Sequence, residues 1–506
     1  MEPVRPGVAV SAVRTHVHDR AACVDTAGIG RFELRALLGW MAVLLGAVPF
    51  LLLWLLVQRS WSPLAALDGD VAAALNEVVS GSALLASVLR AVTDLGGTGV
   101  AVLVMTLGTV FLLVRRQPRL AAFVATAGLG LALLVPLTKA VIDRARPMVD
   151  SPVVETPSNA SFPSGHAATA LVVWGTLLLI ALPSVRRRAR LWLVAATAVL
   201  VVVVGLTRLA LGVHFVSDVL AGWALGAGWL AVTVAAFRAW QHDRGRYDDA
   251  PLDPLDVPPA EAARLASSPG PVPLDRRSAA LRLLGVAAAL VAVLSGLGLL
   301  VTGVWGDTAL GRLDRGVVGW FVDLRSSDLT PVVEAVGRLA GTRTVIAVGL
   351  ALAVLGLAVT ARWRPVVFVV VTLVGEVTLY FTVAQVVDRI RPAVADLTCG
   401  LPSGASWPSG HAAAAAALYG ALAALVVSYT RSRWRWAALA VPVLLAPLIG
   451  VTRVYVAAHY PTDVVAGLLL GGLWVWVCAR VLLPGPGEGD RAGIAARPAR
   501  AVDGRR

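Results

Sequence analysis

Two short polar stretches recur along an otherwise apolar chain. Ser-Phe-Pro-Ser-Gly-His-Ala at 161–167 is followed 245 residues later by Ser-Trp-Pro-Ser-Gly-His-Ala at 406–412. Pro, Ser and Gly before an apolar run predict a turn and then a helix N-terminus, where free backbone N–H groups and the helix dipole favour an anion. In the first copy, Ser164 adds a hydroxyl donor, Gly165 allows close backbone approach, and His166 can exchange a proton near neutral pH.

A second cluster contributes cations. Lys139 is the only lysine among 44 lysines and arginines, and Arg146 follows it seven residues later. Seven residues are about two helical turns, so both cations lie on one helical face. The spacing fits an anion site, or two long side chains that reach from a helix end to the membrane surface.

A third cluster contains Arg208, His214 and Asp218. A histidine and an aspartate four residues apart on a helix can touch. A carboxylate on one ring nitrogen fixes the tautomer and leaves the other nitrogen available as a nucleophile. An ordinary helical polar pair has the same spacing, but ionisable groups at a membrane boundary are costly, which favours a function.

Taken together, the three clusters predict phosphate chemistry. Cations and a helix N-terminus suit a tetrahedral oxyanion, and two histidines suit a nucleophile and a general acid. The sequence has no carboxylate cluster or thiol set of the kind that holds a catalytic metal. We therefore expect phosphoryl transfer to histidine and then to water, without a metal or other cofactor.

The motifs Lys-x6-Arg-Pro, Pro-Ser-Gly-His and Arg-x5-His-x3-Asp, in this order, resemble the signature of the type-2 phosphatidic acid phosphatase superfamily. That superfamily includes lipid phosphate phosphatases and is related to vanadium haloperoxidases. The resemblance implies a six-helix core, His214 as nucleophile, Asp218 as its orienting partner and His166 as acid toward the leaving oxygen. It also implies a set of phosphate-binding residues: Lys139, Arg146, Ser164, Gly165 and Arg208.

The second half repeats these motifs with one change. The matching positions are Arg391, Ser409, Gly410, His411, Arg453, His459 and Asp463. The equivalent of Lys139 is Ala384. One lost charge-assisted contact costs roughly 1.5–3 kcal/mol, a factor of ten or more in phosphate binding. We therefore expect the first copy to be complete and the second to be weakened or retuned.

The elements that position these motifs are apolar. Of 506 residues, 58% are hydrophobic and 15% are charged, and the mean hydropathy is +0.77. Since a bilayer core needs about 20 apolar residues per helix, the sequence predicts an all-α integral membrane protein with two tandem six-helix bundles, about 12 transmembrane helices. The predicted segments are 37–57, 98–114, 120–142, 166–183, 191–207, 216–237, 283–303, 344–360, 365–387, 410–429, 436–453 and 463–483.

The repeat and the composition shifts predict five regions. They are a cytoplasmic N-terminal tail 1–36, a first phosphatase-like membrane domain 37–237, a linker 238–280, a second such domain 281–484, and a cytoplasmic tail 485–506. The linker is rich in proline, aspartate and small residues, so it is predicted to be flexible and cytoplasmic.

Arginines in short loops predict the orientation. They occur at 115–119 and 186–190, and in the second half as Arg362, Arg364, Arg431, Arg433 and Arg435. Placing them in the cytoplasm puts both termini there and the repeated motifs at the extracytoplasmic face, and we expect a bacterial plasma membrane. The same arginines account for the net charge of +13, so no nucleic-acid partner is expected.

The preferred interpretation is a phosphatase for amphiphilic lipid phosphates of the bilayer, either polyprenyl phosphates and diphosphates or phosphatidate-like lipids. One alternative is a phosphotransferase with a lipid or sugar acceptor. Others are a twelve-helix lipid transporter and a non-catalytic lipid-binding scaffold. The sequence leaves open the particular lipid, the preference for mono- or diphosphates and the oligomeric state.

Overall fold

The structure is a computed structural model. It describes residues 39–40, 43–149, 153–154, 157–242, 255, 257, 259–268, 275–394, 397 and 405–485. Within these residues the chain is helical, and its extended pairing is limited to an isolated bridge between Ser268 and Arg362.

The helices follow the predicted repeat. In the first half, a π-helical turn Val43–Ala47 leads into α1 Val48–Gln58, α2 Ser62–Ser80, α3 Ala83–Thr93, α4 Thr98–Val114, α5 Pro118–Val141, α6 Gly165–Ala181, α7 Arg187–Ala210 and α8 Val216–His242. A short helix, α9, spans Pro259–Leu265. The second half contains α10 Arg276–Leu299, α11 Ala309–Asp323, α12 Leu329–Arg338, α13 Thr342–Thr360, α14 Arg364–Val387, α15 Gly410–Tyr429, α16 Ala440–Tyr455 and α17 Pro461–Leu482.

The described residues contain 10 helices long and apolar enough to cross a membrane. Two bent helix pairs raise the number to as many as 12: α1 with α2, bent by 90°, and Leu84–Gly96 with α4, bent by 42°. The prediction of an all-α integral membrane protein with about 12 spans is therefore confirmed. The start of the first predicted span, 37–57, lies partly outside the described residues.

Within the two repeats, four helices were not predicted: α2, α3, α11 and α12. They are amphipathic and carry charged residues, so they contain no apolar run of membrane-spanning length. Two of them place an aspartate in the protein interior: Asp68 on α2 is 1% exposed and Asp314 on α11 is 2% exposed. These helices therefore supply buried carboxylates that a search for apolar segments cannot find.

Contacts divide the chain into two compact units. Unit 1 comprises Met1–Thr93, Gly130–Val172 and Val202–Asp249, and unit 2 comprises Asp94–Leu129, Val173–Val201 and Ala250–Arg506. The first set of polar motifs lies entirely in unit 1 and the second entirely in unit 2. Within unit 2, α4 of the first repeat packs on α13, the equivalent helix of the second repeat.

Part of the predicted linker is structured, which corrects its description as flexible throughout. Arg115 donates from Nη2 to the carbonyl of Ala266 over 2.9 Å, and Gln117 donates from Nε2 to the carbonyl of Glu261 over 3.3 Å. The backbone of Ser268 donates to the carbonyl of Ala361 over 3.0 Å. Much of the remaining linker, and the predicted tails almost entirely, lie outside the described residues, and the domain boundaries stay a prediction.

Close helix contact brings each signature turn against the helix that contains the aspartate of the third motif. A β-carbon at Gly222 of α8 would overlap the carbonyl oxygen of Ser164, and one at Gly467 of α17 would overlap that of Ser409. Glycine at these positions lets the N-termini of α6 and α15 lie directly against their neighbours. This close contact fixes the position of each helix N-terminus, and therefore the place where an anion would bind to it.

Candidate active site

Arg146 lies at the centre of the first site. Its Nη1 donates to the carbonyl of Val213 over 2.7 Å and lies 3.2 Å from Nε2 of His214. Its Nη2 donates to Oδ1 of Asn159 over 2.5 Å. Burial lowers the pKa of Arg146 and the carboxylate of Asp218 opposes that shift, but a guanidinium stays charged at neutral pH.

The other predicted cations converge on the start of α6. Lys139 donates from Nζ to the carbonyl of Ala160. Arg208, 7% exposed, donates from Nη1 to Oγ1 of Thr93 over 3.1 Å. His166 lies close enough to four groups for their charges to act on its ring. These groups are Lys139, Arg146, Arg208 and His214. The structure therefore brings the predicted residues of all three motifs together.

The signature turn is ordered by backbone and side-chain hydrogen bonds. Ser164 is fully buried, and its N–H donates to the carbonyl of Asp218 over 2.9 Å. Its hydroxyl oxygen accepts a long hydrogen bond of 3.5 Å from the N–H of Ala167. Gly165 begins α6, so the N–H groups of the first turn project from the helix N-terminus, where they favour an anion.

His214 and Asp218 form the predicted pair. Nδ1 of His214 lies 3.3 Å from Oδ2 of Asp218, and this oxygen also accepts from the N–H of Phe215 over 2.9 Å and from Oγ of Ser161. A proton on Nδ1 satisfies the carboxylate and leaves the lone pair of Nε2 directed toward Arg146. The nitrogen that could attack therefore faces the cation that could hold a phosphate.

The surroundings of His214 favour its neutral form. Burial lowers the pKa of His214 to about 4. The hydrogen bond and charge of Asp218 oppose this shift, whereas Arg208 and Arg146 reinforce it. His214 is 2% exposed and lies in the loop between α7 and α8. It is thus unprotonated at neutral pH, as a nucleophile requires.

A buried clamp behind this pair was missed by sequence reasoning. Arg144 donates from Nη1 to Oδ1 of Asp218 over 2.6 Å and from Nη2 to Oδ2 of Asp68 over 2.9 Å. Asp68 also accepts from the N–H of Ser217 over 3.0 Å. Arg144 thus holds the carboxylate that holds His214.

A signal for the clamp exists in the repeat. Asp-Arg-Ala-Arg-Pro at 143–147 matches Asp-Arg-Ile-Arg-Pro at 388–392, so Arg144 and its equivalent Arg389 are both kept. In unit 2, Arg389 donates to Oδ1 of Asp463 over 2.5 Å and to Oδ2 of Asp314 over 2.9 Å. Burial lowers the pKa of Arg389, but the carboxylates of Asp463 and Asp314 more than offset it and raise that pKa overall.

The second site keeps the arrangement of its cations. Arg391 donates from Nη1 to the carbonyl of Ala458 over 2.6 Å and lies 3.4 Å from Nε2 of His459. His411 lies within electrostatic reach of Arg453 and Arg391. Gly410 begins α15, as Gly165 begins α6.

The histidine of the second site has a different partner. Nδ1 of His459 lies 2.7 Å from the carbonyl oxygen of Ser406 and 3.9 Å from Oδ2 of Asp463. Oδ2 of Asp463 accepts from Oγ of Ser406 over 2.6 Å, as Oδ2 of Asp218 accepts from Ser161. Burial lowers the pKa of His459 to about 3, and Arg391 adds to the shift. This imidazole is bonded to a neutral carbonyl rather than to a carboxylate.

The lost lysine of the second site accompanies a further change. Ala384 is 3% exposed, and one turn earlier on α14 Tyr380 takes the place of Val135. A β-carbon at Gly410 would lie 3.1 Å from Cζ of Tyr380, whereas one at Gly165 would lie 3.3 Å from Cγ1 of Val135. An aromatic ring thus lies against the helix N-terminus of the second site.

The chemistry open to the first site follows from its contents. Three cations and a helix N-terminus can hold a tetrahedral anion, a neutral imidazole can attack it, and a second imidazole can transfer a proton. Among the described residues, no group of three or more histidines, cysteines, aspartates or glutamates could hold a metal ion.

Comparison with known proteins gives the family. The model of the PAP2 superfamily matches residues 99–242 and 344–484, more than half of the chain. The chain belongs to the PAP2 superfamily. Both PAP2 regions contain their own copies of the three polar motifs, which confirms the resemblance and the tandem repeat.

Several curated PAP2 proteins are similar to parts of this chain. Phosphatidylglycerophosphatase B of Bacillus subtilis is 40% identical over 97 residues, covering 19% of this chain and 46% of that protein. Undecaprenyl-diphosphatase of Sulfolobus acidocaldarius is 32% identical over 121 residues, or 24% and 53% of the two chains. Decaprenylphosphoryl-5-phosphoribose phosphatase of Mycobacterium tuberculosis is 38% identical over 129 residues, or 24% and 62%. The chain thus spans about half the length of these relatives.

One solved structure is also similar to part of this PAP2 protein. It is a transmembrane PAP2-type phosphatidylglycerolphosphate phosphatase from Bacillus subtilis, with 22% identity and a TM-score of 0.34, and the match covers 37% of this chain and 93% of the other.

Proposed function

We propose that this PAP2 protein hydrolyses lipid phosphates through a phosphohistidine on His214, at the extracytoplasmic face of the membrane. One observation carries the proposal. Nε2 of His214 lies 3.2 Å from Arg146 while Nδ1 lies 3.3 Å from Asp218. The attacking nitrogen and an anion-binding cation thus share one small space.

The reaction would occur in two steps. Nε2 of His214 attacks phosphorus and the bond to the lipid oxygen breaks. His166, which is protonated once the bound phosphate dianion offsets the charge of the neighbouring cations, gives its proton to that oxygen. Water then attacks the phosphohistidine, His166 accepts a proton from the water, and inorganic phosphate leaves. Lys139, Arg146 and Arg208 stabilise the charge that develops on the phosphoryl oxygens.

A groove in unit 1 supports an amphiphilic substrate. It has a volume of about 700 Å³ and is lined by Phe50, Leu134, Trp229 and other apolar residues. Phe50 contacts Phe162 of the signature turn, with ring centroids 5.6 Å apart, and Leu134 lies five residues before Lys139. A polyprenyl or acyl chain in this groove would place its phosphate near the site. The named activities of the relatives, on polyprenyl and glycerolipid phosphates, support the same substrate class.

The competing functions make different use of the polar residues. A lipid transporter places its polar groups near the middle of the membrane, whereas those of both sites lie at helix ends. A phosphotransferase shares the first step and replaces water by a lipid or sugar hydroxyl. Metal independence fits a phosphate held by side-chain cations, so chelators should leave the reaction unchanged.

Phosphate release from a detergent-solubilised polyprenyl phosphate tests the proposal. We expect His214→Ala to abolish release and His459→Ala to reduce it little. Radioactive substrate should label the wild-type protein with an acid-labile phosphate that His214→Ala lacks, and orthovanadate should inhibit. Full activity in His214→Ala would move catalysis to the second copy, and full activity with both histidines replaced would refute an enzyme of this kind.

A further inference from the structure

A second groove lies in unit 2, among α15, α16 and α17. Its volume is about 1080 Å³, and its walls are small or apolar: Ala416, Ala423, Val443, Leu468, Val475 and Trp476. Along α15 it extends from Ala416 to Ser428, twelve residues and about 18 Å at 1.5 Å per residue. One leaflet of a bilayer core is about 15 Å thick, so the groove has the length of a single acyl chain.

One buried donor lines one end of this groove, and a second lies beside the lining residue Ser428. Arg364, the first residue of α14, lines it and is 8% exposed, and its Nε and Nη2 have no hydrogen-bond partner in the described part of the chain. Tyr429 directly follows Ser428, the last residue of α15 that lines the groove. Its hydroxyl is likewise buried and unpartnered among the described residues, and the charge of Arg364 acts on it. Buried donors without an acceptor destabilise a protein, so these groups indicate an acceptor that the described residues do not supply.

The charges around the groove have one sign. Arg362 and Arg480 also line it, and no aspartate or glutamate is among the described residues that line it. Arg480 lies over the ring of Trp476 with its guanidinium carbon 5.3 Å from the ring centroid, which positions it at the groove wall. An anion with oxygen acceptors is therefore complementary to this end, whereas a group carrying an additional positive charge is not.

The groove is separate from the second phosphatase-like site. Arg364 and Ala384 are twenty residues apart on α14, about 30 Å along the helix axis. No histidine is among the described residues that line the groove, so this lining offers no imidazole as a nucleophile or general acid for phosphate chemistry. Its composition suits retention of a ligand rather than its conversion.

We propose that this groove binds an anionic phospholipid of the bilayer, with the phosphate on Arg364 and Tyr429 and one acyl chain between α15, α16 and α17. The apolar walls select a lipid over a free anion, and the arginines select an anionic headgroup over a zwitterionic one. With the orientation predicted from the loops, the lipid belongs to the cytoplasmic leaflet.

Thermal unfolding and native mass spectrometry of the delipidated full-length protein test the headgroup contacts. Phosphatidylglycerol should raise the melting temperature and remain bound, whereas phosphatidylcholine and inorganic phosphate should do so much less. Arg364→Gln should weaken phosphatidylglycerol binding about tenfold or more, and Tyr429→Phe several-fold, since each removes a buried donor. Arg277→Gln is the matched control, because Arg277 is exposed at the start of α10.

A second variant tests the acyl chain. A β-carbon at Gly472, which lines the groove, meets no atom within 4 Å, so Gly472→Leu fills the groove without a backbone clash. It should abolish phosphatidylglycerol binding, while Gly296→Leu, at an equally open position on α10, should not.

The possible results are distinguishable. Equal binding of the two lipids, or unchanged phosphatidylglycerol binding in Tyr429→Phe and Gly472→Leu, would overturn the proposal even if Arg364→Gln failed to fold. Strong binding of inorganic phosphate that Gly472→Leu leaves intact would identify a free-anion site instead. None of these measurements depends on phosphatase activity.

Discussion

His214 and His459 occupy equivalent positions but have different hydrogen-bond partners. Nδ1 of His214 faces a carboxylate at 3.3 Å, and Nδ1 of His459 faces a carbonyl at 2.7 Å. A carboxylate stabilises the positive charge that an imidazole acquires on attacking phosphorus, and a neutral carbonyl does so less. We therefore expect the second site to be weakened at His459, its proposed nucleophile, as well as by the missing lysine.

The neutral state of His214 predicts an unusual pH dependence. Because burial lowers the pKa of His214 to about 4, this proposed nucleophile loses its lone pair only when the pH falls through about 4, well below the 6.5 of free histidine. The acid limb of kcat/KM should therefore include an inflection near pH 4, measured in His459→Ala protein. The second ionisation of a phosphate monoester, near pH 6, gives a separate inflection.

A matched variant assigns the lower inflection. Asp218→Asn removes a carboxylate that raises the pKa of His214, so that inflection should move further down while the substrate inflection stays in place. An acid limb near pH 6.5 that shifts with Asp218→Asn would contradict the neutral, buried histidine.

The clamp formed by Asp68, Arg144 and Asp218 predicts that Asp68 affects the reaction without contacting the phosphate. Asp68→Asn removes one charge from the contact with Arg144, which then holds Asp218 less firmly. Loss of one charged hydrogen bond, about 1.5–3 kcal/mol, should lower kcat roughly 10–100-fold with little change in KM. Asp70→Asn, at an exposed position of the same helix, should leave kcat unchanged. A rise in KM with unchanged kcat would indicate a role in substrate binding instead.

At the level of the helix, α14 differs from α5 by a paired exchange: Tyr380 for Val135 and Ala384 for Lys139. Both positions lie on one face, one turn apart. Introducing Ala384→Lys with Tyr380→Val should therefore recover phosphatase activity in the His214→Ala protein, by about tenfold or more for one restored charge contact.

The single variant Ala384→Lys is the control for this exchange. It should recover less activity, because the ring of Tyr380 lies against Gly410 where the phosphate would bind. No gain in the double variant would show that the hydrogen bond of His459 to Ser406, not the missing lysine, limits the second site.

Helices could be predicted wherever burial in lipid requires a long apolar run. The bounds 98–114 and 410–429 coincide with α4 and α15, because capping turns and charged loops end both runs. The amphipathic α2 and α11 could not be found this way, since charged residues interrupt the apolar run of each helix. Asp68 was missed for the same reason, and Tyr380 because no motif includes it.

Over the whole molecule, the orientation predicted from loop arginines can be measured. Met148 lies two residues after Arg146 of the first site and is 99% exposed. Arg187 begins α7, whereas Arg208 of the first site lies near the other end of that helix. In protein lacking Cys23, Cys399 and Cys478, a membrane-impermeant maleimide should label Met148→Cys in intact cells. It should label Arg187→Cys only after permeabilisation. The reverse pattern would place both sites in the cytoplasm.

The contact of α4 with α13 joins the same helix from each repeat, as identical partners meet in a homodimer with a twofold axis. In a homodimer one gene specifies both subunits, so a change to one active site changes the other. Joining the copies in one polypeptide removes that constraint. One site can keep Lys139 while the residues of the other site change. The single chain then corresponds to a heterodimer whose two subunits are covalently joined.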